Sequence, residues 1–145
     1  MAARVFIGID PGTHTGVAVW DSASRAFLEV ATLPLWKALD AVRAWNDMPD
    51  MEVRVVFEDA RQRTWFRKDR SSSEYRGHLM GAGAAKRDAA IWEEVLTAQR
   101  IPFQALKPRA GMTKWKADYW AKVTGWKGRT TEHSRDAALL VWGRR

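Results

Sequence analysis

RVFIGIDPGTHTGVAVWD, residues 4–21, is the stretch whose reading decides the fold. From Arg4 to Asp10 the residues are β-prone and alternate, so Val5, Ile7 and Ile9 face one way and Phe6, Gly8 and Asp10 the other. Pro11-Gly12 makes a turn. Thr15 to Asp21, TGVAVWD, then reads as a second strand. After a turn at Asp21-Ser22-Ala23-Ser24, Arg25 to Leu33 reads as a third. The expectation is an antiparallel meander with Asp10 ending its first strand.

Working outward, Pro34 suits a first helical turn, and Leu35, Trp36, Leu39, Val42 and Trp45 follow at helical spacing, which predicts a helix ending near Asn46. Met48 to Met51 connects it to Val53–Asp59, VRVVFED, an apolar run suited to a strand covered on both faces. A strand, a crossover helix and another strand favour parallel pairing. Lying beside the first strand, this fourth one would carry Glu58 to the sheet end that holds Asp10. Asp59 competes for that role, but alternation sends the two carboxylates to opposite faces.

Arg61 to Arg76, RQRTWFRKDRSSSEYR, is polar and basic without a sustained period, and is expected to be a mobile surface loop. A helix is expected from Gly77 to about Gln99; its Gly81 and Gly83 weaken helix propensity and call for a packing reason, such as a second helix approaching closely. Ile101 to Leu106 reads as a fifth strand, with Pro102 suiting an edge. Lys114 to Thr124 reads as a helix stopped by Gly125. Thr130 or Thr131 caps a last helix carrying His133, Asp136, Ala137, Leu140 and Val141. Residues 1–145 are expected to form one α/β domain, a five-stranded mixed sheet flanked by helices. Trp36, Trp45, Trp92, Trp120 and Trp142 are assigned to the core, and Trp115 and Trp126, among lysines, to the surface.

Composition narrows the function. The 145 residues are 46% hydrophobic and 28% charged, with Trp 9 and Gly 10, a globular balance that can bury a core without disulfides. Lys+Arg 24 against Asp+Glu 17 gives a net charge of +7, suited to a phosphate-rich partner. With Cys 0, thiolate zinc sites and cysteine nucleophiles are excluded. Any metal must be held by oxygen and imidazole. No run of about eighteen apolar residues occurs, and the expected setting is soluble and cytoplasmic.

Phosphodiester hydrolysis is slow unaided, and two divalent ions about 4 Å apart can accelerate it. Hard Mg²⁺ or Mn²⁺ takes oxygen ligands, which Asp10, Glu58 and Asp136 supply. His133 and Asp136, three apart, project from one helix face; His133 is placed either as a ligand or as the group orienting the attacking water.

IGIDPGTHTGVAVWD, then VVFED, then EHSRDAALL resembles the RuvC-type Holliday junction resolvases of the RNase H-like superfamily, in a compact form like that of a phage or prophage. The resemblance covers the chain in order and length, although its middle is dissimilar. It implies a homodimeric Mg²⁺- or Mn²⁺-dependent endonuclease, acting in a bacterial cell or a phage-infected host. Such an enzyme nicks opposing strands of a four-way DNA junction and leaves 5′-phosphate ends. The family's first acidic ligand falls on Asp10, its glutamate on Glu58 and its last ligand pair on His133 and Asp136, where some members carry Asp in place of His133. Its junction wedge falls on the stretch holding Trp65 and Phe66, where an aromatic ring can stack on an unpaired base. Flanking Arg61, Arg63, Arg67, Lys68 and Arg70 would neutralise phosphates. Lys114 and Lys116 would reach phosphate near the metals.

Plainer roles compete at each position. Asp10 also suits a turn before Pro-Gly, His133 and Asp136 also suit a helix end, and Trp65 and Phe66 also suit packing under their own loop. At the level of function the rivals are a sister nuclease of the YqgF type acting on RNA or other branched DNA, a non-catalytic junction-binding module, and a docking partner that uses only its basic loop.

Overall fold

A computed structural model describes residues 3–64, 72–108 and 114–145 of the chain. Its elements follow in the order β1 (Ala3–Asp10), β2 (His14–Asp21), β3 (Ala26–Pro34), α1 (Leu35–Asn46), β4 (Met51–Glu58), a single 3₁₀ turn (Ala60–Gln62), α2 (Ser72–Ala98), β5 (Phe103–Leu106), α3 (Ala117–Thr124) and α4 (Glu132–Val141). The architecture is α/β, with a five-stranded mixed sheet in the order β3-β2-β1-β4-β5. The first three strands pair antiparallel, whereas β4 runs parallel to β1 and β5 parallel to β4.

The alternation of β1 separates two cores. Val5, Ile7 and Ile9 join Val17, Val19, Val53, Val55 and Phe57 under Ala38 and Val42 of α1 and Ala89, Trp92 and Leu96 of α2. Phe6, on the other face, joins Ala18, Trp20, Phe27 and Val56 under Trp120 of α3 and Ala137, Ala138 and Val141 of α4. Burying one large apolar side chain contributes about 1.5–3 kcal/mol, against about 1 kcal/mol lost by each glycine in a helix. Trp92 and Leu96 therefore anchor α2 despite Gly77, Gly81 and Gly83 nearer its start.

Several expectations shift. Helix α2 begins at Ser72, inside the stretch expected to be a loop through Arg76. The fifth strand begins at Phe103; Ile101 is buried and its N–H instead donates to the Leu96 carbonyl, closing the end of α2. Helix α3 starts at Ala117, three residues later than its charge pattern suggested.

Trp36 is 62% exposed, because the inward stripe of α1 is Leu35, Ala38, Leu39, Val42 and Trp45, and position 36 lies about 100° round the helix from position 35. Trp142 follows the last residue of α4 and is exposed, edge-on to Trp115. Trp115 and Trp126, assigned to the surface, pack in part against the α4-side core. A Cβ at Gly81 or Gly83 would meet nothing within 4 Å, so no second helix of the described chain explains them. No helix of the described residues is long and apolar enough to cross a membrane.

Candidate metal centre

The site forms where the sheet turns from antiparallel to parallel. Ile9 is opposite Phe57 across the β1–β4 ladder, so the next residues, Asp10 and Glu58, sit side by side at one sheet end. Even-numbered positions of both strands face α4, as Phe6 and Val56 do. Asp59 faces the other way. Its carboxylate accepts hydrogen bonds from the Arg61 backbone N–H at 3.0 Å and from the Arg61 guanidinium at 2.8 and 3.0 Å.

Helix α4 reaches these carboxylates because two glycines let it down onto β1 and β2. A Cβ on Gly16 would lie 2.0 Å from the His133 carbonyl oxygen, and one on Gly8 would lie 2.1 Å from the Ala137 carbonyl oxygen. Both distances are impossible for a side-chain carbon. A glycine inside a strand is the sequence signal of such an approach.

Thr131 fixes the start of α4. Its hydroxyl accepts from the Ser134 N–H while the Ser134 hydroxyl accepts from the Thr131 N–H, closing a capping box. A hydrogen bond between the Thr32 and Thr131 hydroxyls ties this cap to β3.

His133 then stands over Asp10, with Nδ1 3.0 Å from Asp10 Oδ2. An ionised Asp10 accepts the Nδ1 proton there and leaves Nε2 for another partner. Asp136, one turn on, accepts from Lys114 Nζ at 2.7 Å, and the same ammonium is 2.7 Å from Glu132 Oε1. Burial pushes the Asp10 pKa up, the His133 hydrogen bond pulls it back, the Asp136 charge raises it further, and the net shift is upward. Glu58 is raised by burial first, then by Asp10 and Asp136, with Lys114 and Arg63 opposing. Three carboxylates from β1, β4 and α4 thus share one field and repel one another.

The expected phosphate contacts divide. Arg61 is held by Asp59 and Glu93, which gives it a structural role that sequence pattern did not show. Arg63 acts on Glu58 through its charge. Lys114 sits at the acidic cluster, and Lys116 is exposed at the start of α3. Trp65, Phe66, Arg67, Lys68 and Arg70 lie outside the described residues. His14 and Thr13 are exposed in and beside the turn after β1.

Among the described residues, no three His, Asp or Glu side chains already stand in a coordination arrangement. The donor chemistry nevertheless suits a hard divalent cation: Asp10 and Glu58 offer carboxylate oxygens on rigid strand ends, with raised pKa values that a cation would reverse. Set against protein-family models and against curated proteins, the chain matches none.

Proposed function

We propose that the chain is an RNase H-like, RuvC-type endonuclease that resolves four-way DNA junctions by paired nicks, leaving 5′-phosphate ends. The observation that carries this reading is the convergence of Asp10, Glu58 and Asp136, from distant parts of the sequence, on one sheet end. Mg²⁺ or Mn²⁺, two ions per site, would supply the Lewis acidity that phosphodiester hydrolysis needs. Asp10, Glu58 and Asp136 would hold the ions. His133, exposed on the solvent side of Asp10, would either complete the ligand set or orient the attacking water through Nε2.

Arg63, Lys114, Lys116 and the basic stretch through Arg67, Lys68 and Arg70 would grip the phosphate backbone. This adds affinity without reading sequence. Trp65 or Phe66 would stack on bases at the junction centre. Exposed Leu79 and Met80, with uncovered Gly81 and Gly83 on the same stretch of α2, support pairing with a second copy, as symmetric nicking requires. A bacterial or phage-infected cytoplasm goes with the same reading.

The test is cleavage of a synthetic four-way junction beside linear duplex, fork and RNA–DNA hybrid, in Mg²⁺, Mn²⁺ or EDTA, with Asp10→Asn as control. Paired, metal-dependent nicks confined to the junction are expected. Preference for another substrate would move the function to a sister nuclease, and binding without turnover would leave a junction-binding module.

A further inference from the structure

Among the described residues, Lys114 is a cation in direct contact with a member of the acidic cluster. Its ammonium bridges Asp136 and Glu132 at 2.7 Å each, and its charge also acts on Asp10 and Glu58. The position is built. The Arg135 side chain, pointing back from α4, donates to the Trp115 carbonyl at 3.0 Å and to the Thr130 hydroxyl at 2.9 Å, which clamps the backbone next to Lys114 against the helix that bears Asp136.

From this geometry we infer that Lys114 is the resident counter-ion of the cluster, holding Asp136 while no metal is bound and yielding that carboxylate when a divalent cation enters. The inference rests on the metal-centre reading above. It makes Lys114 a positioning residue that competes with metal for Asp136 and stays tethered to Glu132.

Two features make the exchange feasible. The Lys114 side chain is 60% exposed, so water replaces the contact as the ammonium leaves Asp136. Asp136 itself is only 30% exposed and shares its field with Asp10 and Glu58, so a doubly charged ion there is attracted by three carboxylates of the cluster, of which Lys114 touches one. Glu132 then retains the released ammonium at the rim.

Competition of this kind has a thermodynamic signature. Removing the ammonium must tighten metal binding, and loading with metal must shrink the stability lost by removing it, because the two effects are one coupling measured from either side. The experiment is titration of the whole protein with Mn²⁺, followed by loss of the free-ion electron paramagnetic resonance signal, together with thermal unfolding with and without saturating Mn²⁺. Wild type, Lys114→Met, Lys114→Gln and Lys122→Met are compared. Lys122 is an exposed lysine on α3 that matches the change in net charge.

Lys114→Met should bind Mn²⁺ about tenfold more tightly than wild type, within the usual range of such couplings. Lys122→Met should stay within about twofold, since the charge of an exposed lysine is screened by water and salt. If Lys114→Met does not fold, Lys114→Gln reads the same coupling. Equal or weaker binding in the Lys114 variants, with wild-type binding intact, overturns the counter-ion role and leaves the metal centre standing. Absence of Mn²⁺ binding in every protein overturns the metal centre itself.

Discussion

The His133 carbonyl oxygen lies 2.0 Å from the point that a Cβ on Gly16 would occupy. Helix α4 and strand β2 are therefore in backbone contact, and the height of His133 and Asp136 above Asp10 is set by a missing carbon atom. Gly16→Ala must push α4 outward or distort the strand. A destabilisation at the upper end of about 1–3 kcal/mol is expected, as for overpacking a tight core. Urea unfolding measures it, and cleavage should fall more steeply than stability. A variant as stable and active as wild type would contradict the close contact.

Asp10→Asn keeps the side chain's shape and its place beside His133 Nδ1 while removing a buried charge that Asp136 repels. Even residues behind the direct ligands of metals commonly cost 10–100-fold when changed, so cleavage should fall by more than about 100-fold. Junction affinity, read by gel shift in Ca²⁺ or EDTA, should stay close to wild type. Thermal unfolding without metal should occur no lower than in wild type. Retained cleavage in a pure preparation would remove Asp10 from the site.

Asp59 and Arg61 give a pH dependence of definite sign. Burial opposes ionisation of Asp59, but hydrogen bonds from the Arg61 guanidinium and backbone outweigh it, and the pKa lies below the ordinary value of 3.8. Between the folded and unfolded values the unfolded chain binds more protons. The contribution is thus complete above the unfolded value and is lost as pH falls through the depressed folded one. Arg61→Ala should cost about 1–3 kcal/mol at neutral pH by leaving Asp59 short of donors, with a smaller cost near pH 2. Denaturant midpoints at the two pH values check this; an equal cost at both would show that Arg61 acts through packing alone.

Trp65→Ala and Phe66→Ala separate wedge from scaffold. A stacking ring contributes about 1–3 kcal/mol per base, so whichever residue stacks should weaken junction binding by roughly tenfold or more while leaving affinity for linear duplex unchanged. Fluorescence anisotropy with both DNAs makes the comparison. Equal loss on both would assign the ring to packing or to general phosphate contact.

The sheet was legible because its signals are local. The alternation of Val5, Ile7 and Ile9 against Phe6 and Gly8 named both faces of β1, and the apolar run at Val53–Phe57 named the central parallel strand. Asp10, Glu58, His133 and Asp136 were placed correctly on strand ends and a helix start for the same reason.

What escaped depends on pairs that only the fold brings together. Lys114 and Asp136 are 22 positions apart, and Arg61 and Glu93 are 32 apart; neither spacing announces a contact. Trp36 shows the limit of periodicity, since its neighbour Leu35 serves the same apolar face and only the direction of the helix decides between them. The start of α2 was hidden because a serine-rich, charged segment reads as loop until the buried half of the helix holds it.

Glu58 and Asp59 are adjacent carboxylates with separate duties, one turned towards α4 and the other locked to Arg61. Strand phase alone assigns them, so losing or gaining one residue in β4 would turn Glu58 away from α4 and Asp59 towards it. This stretch can drift by substitution but scarcely by insertion or deletion. Relatives that conserve the chemistry should therefore vary in length elsewhere, in the connections on either side of β4.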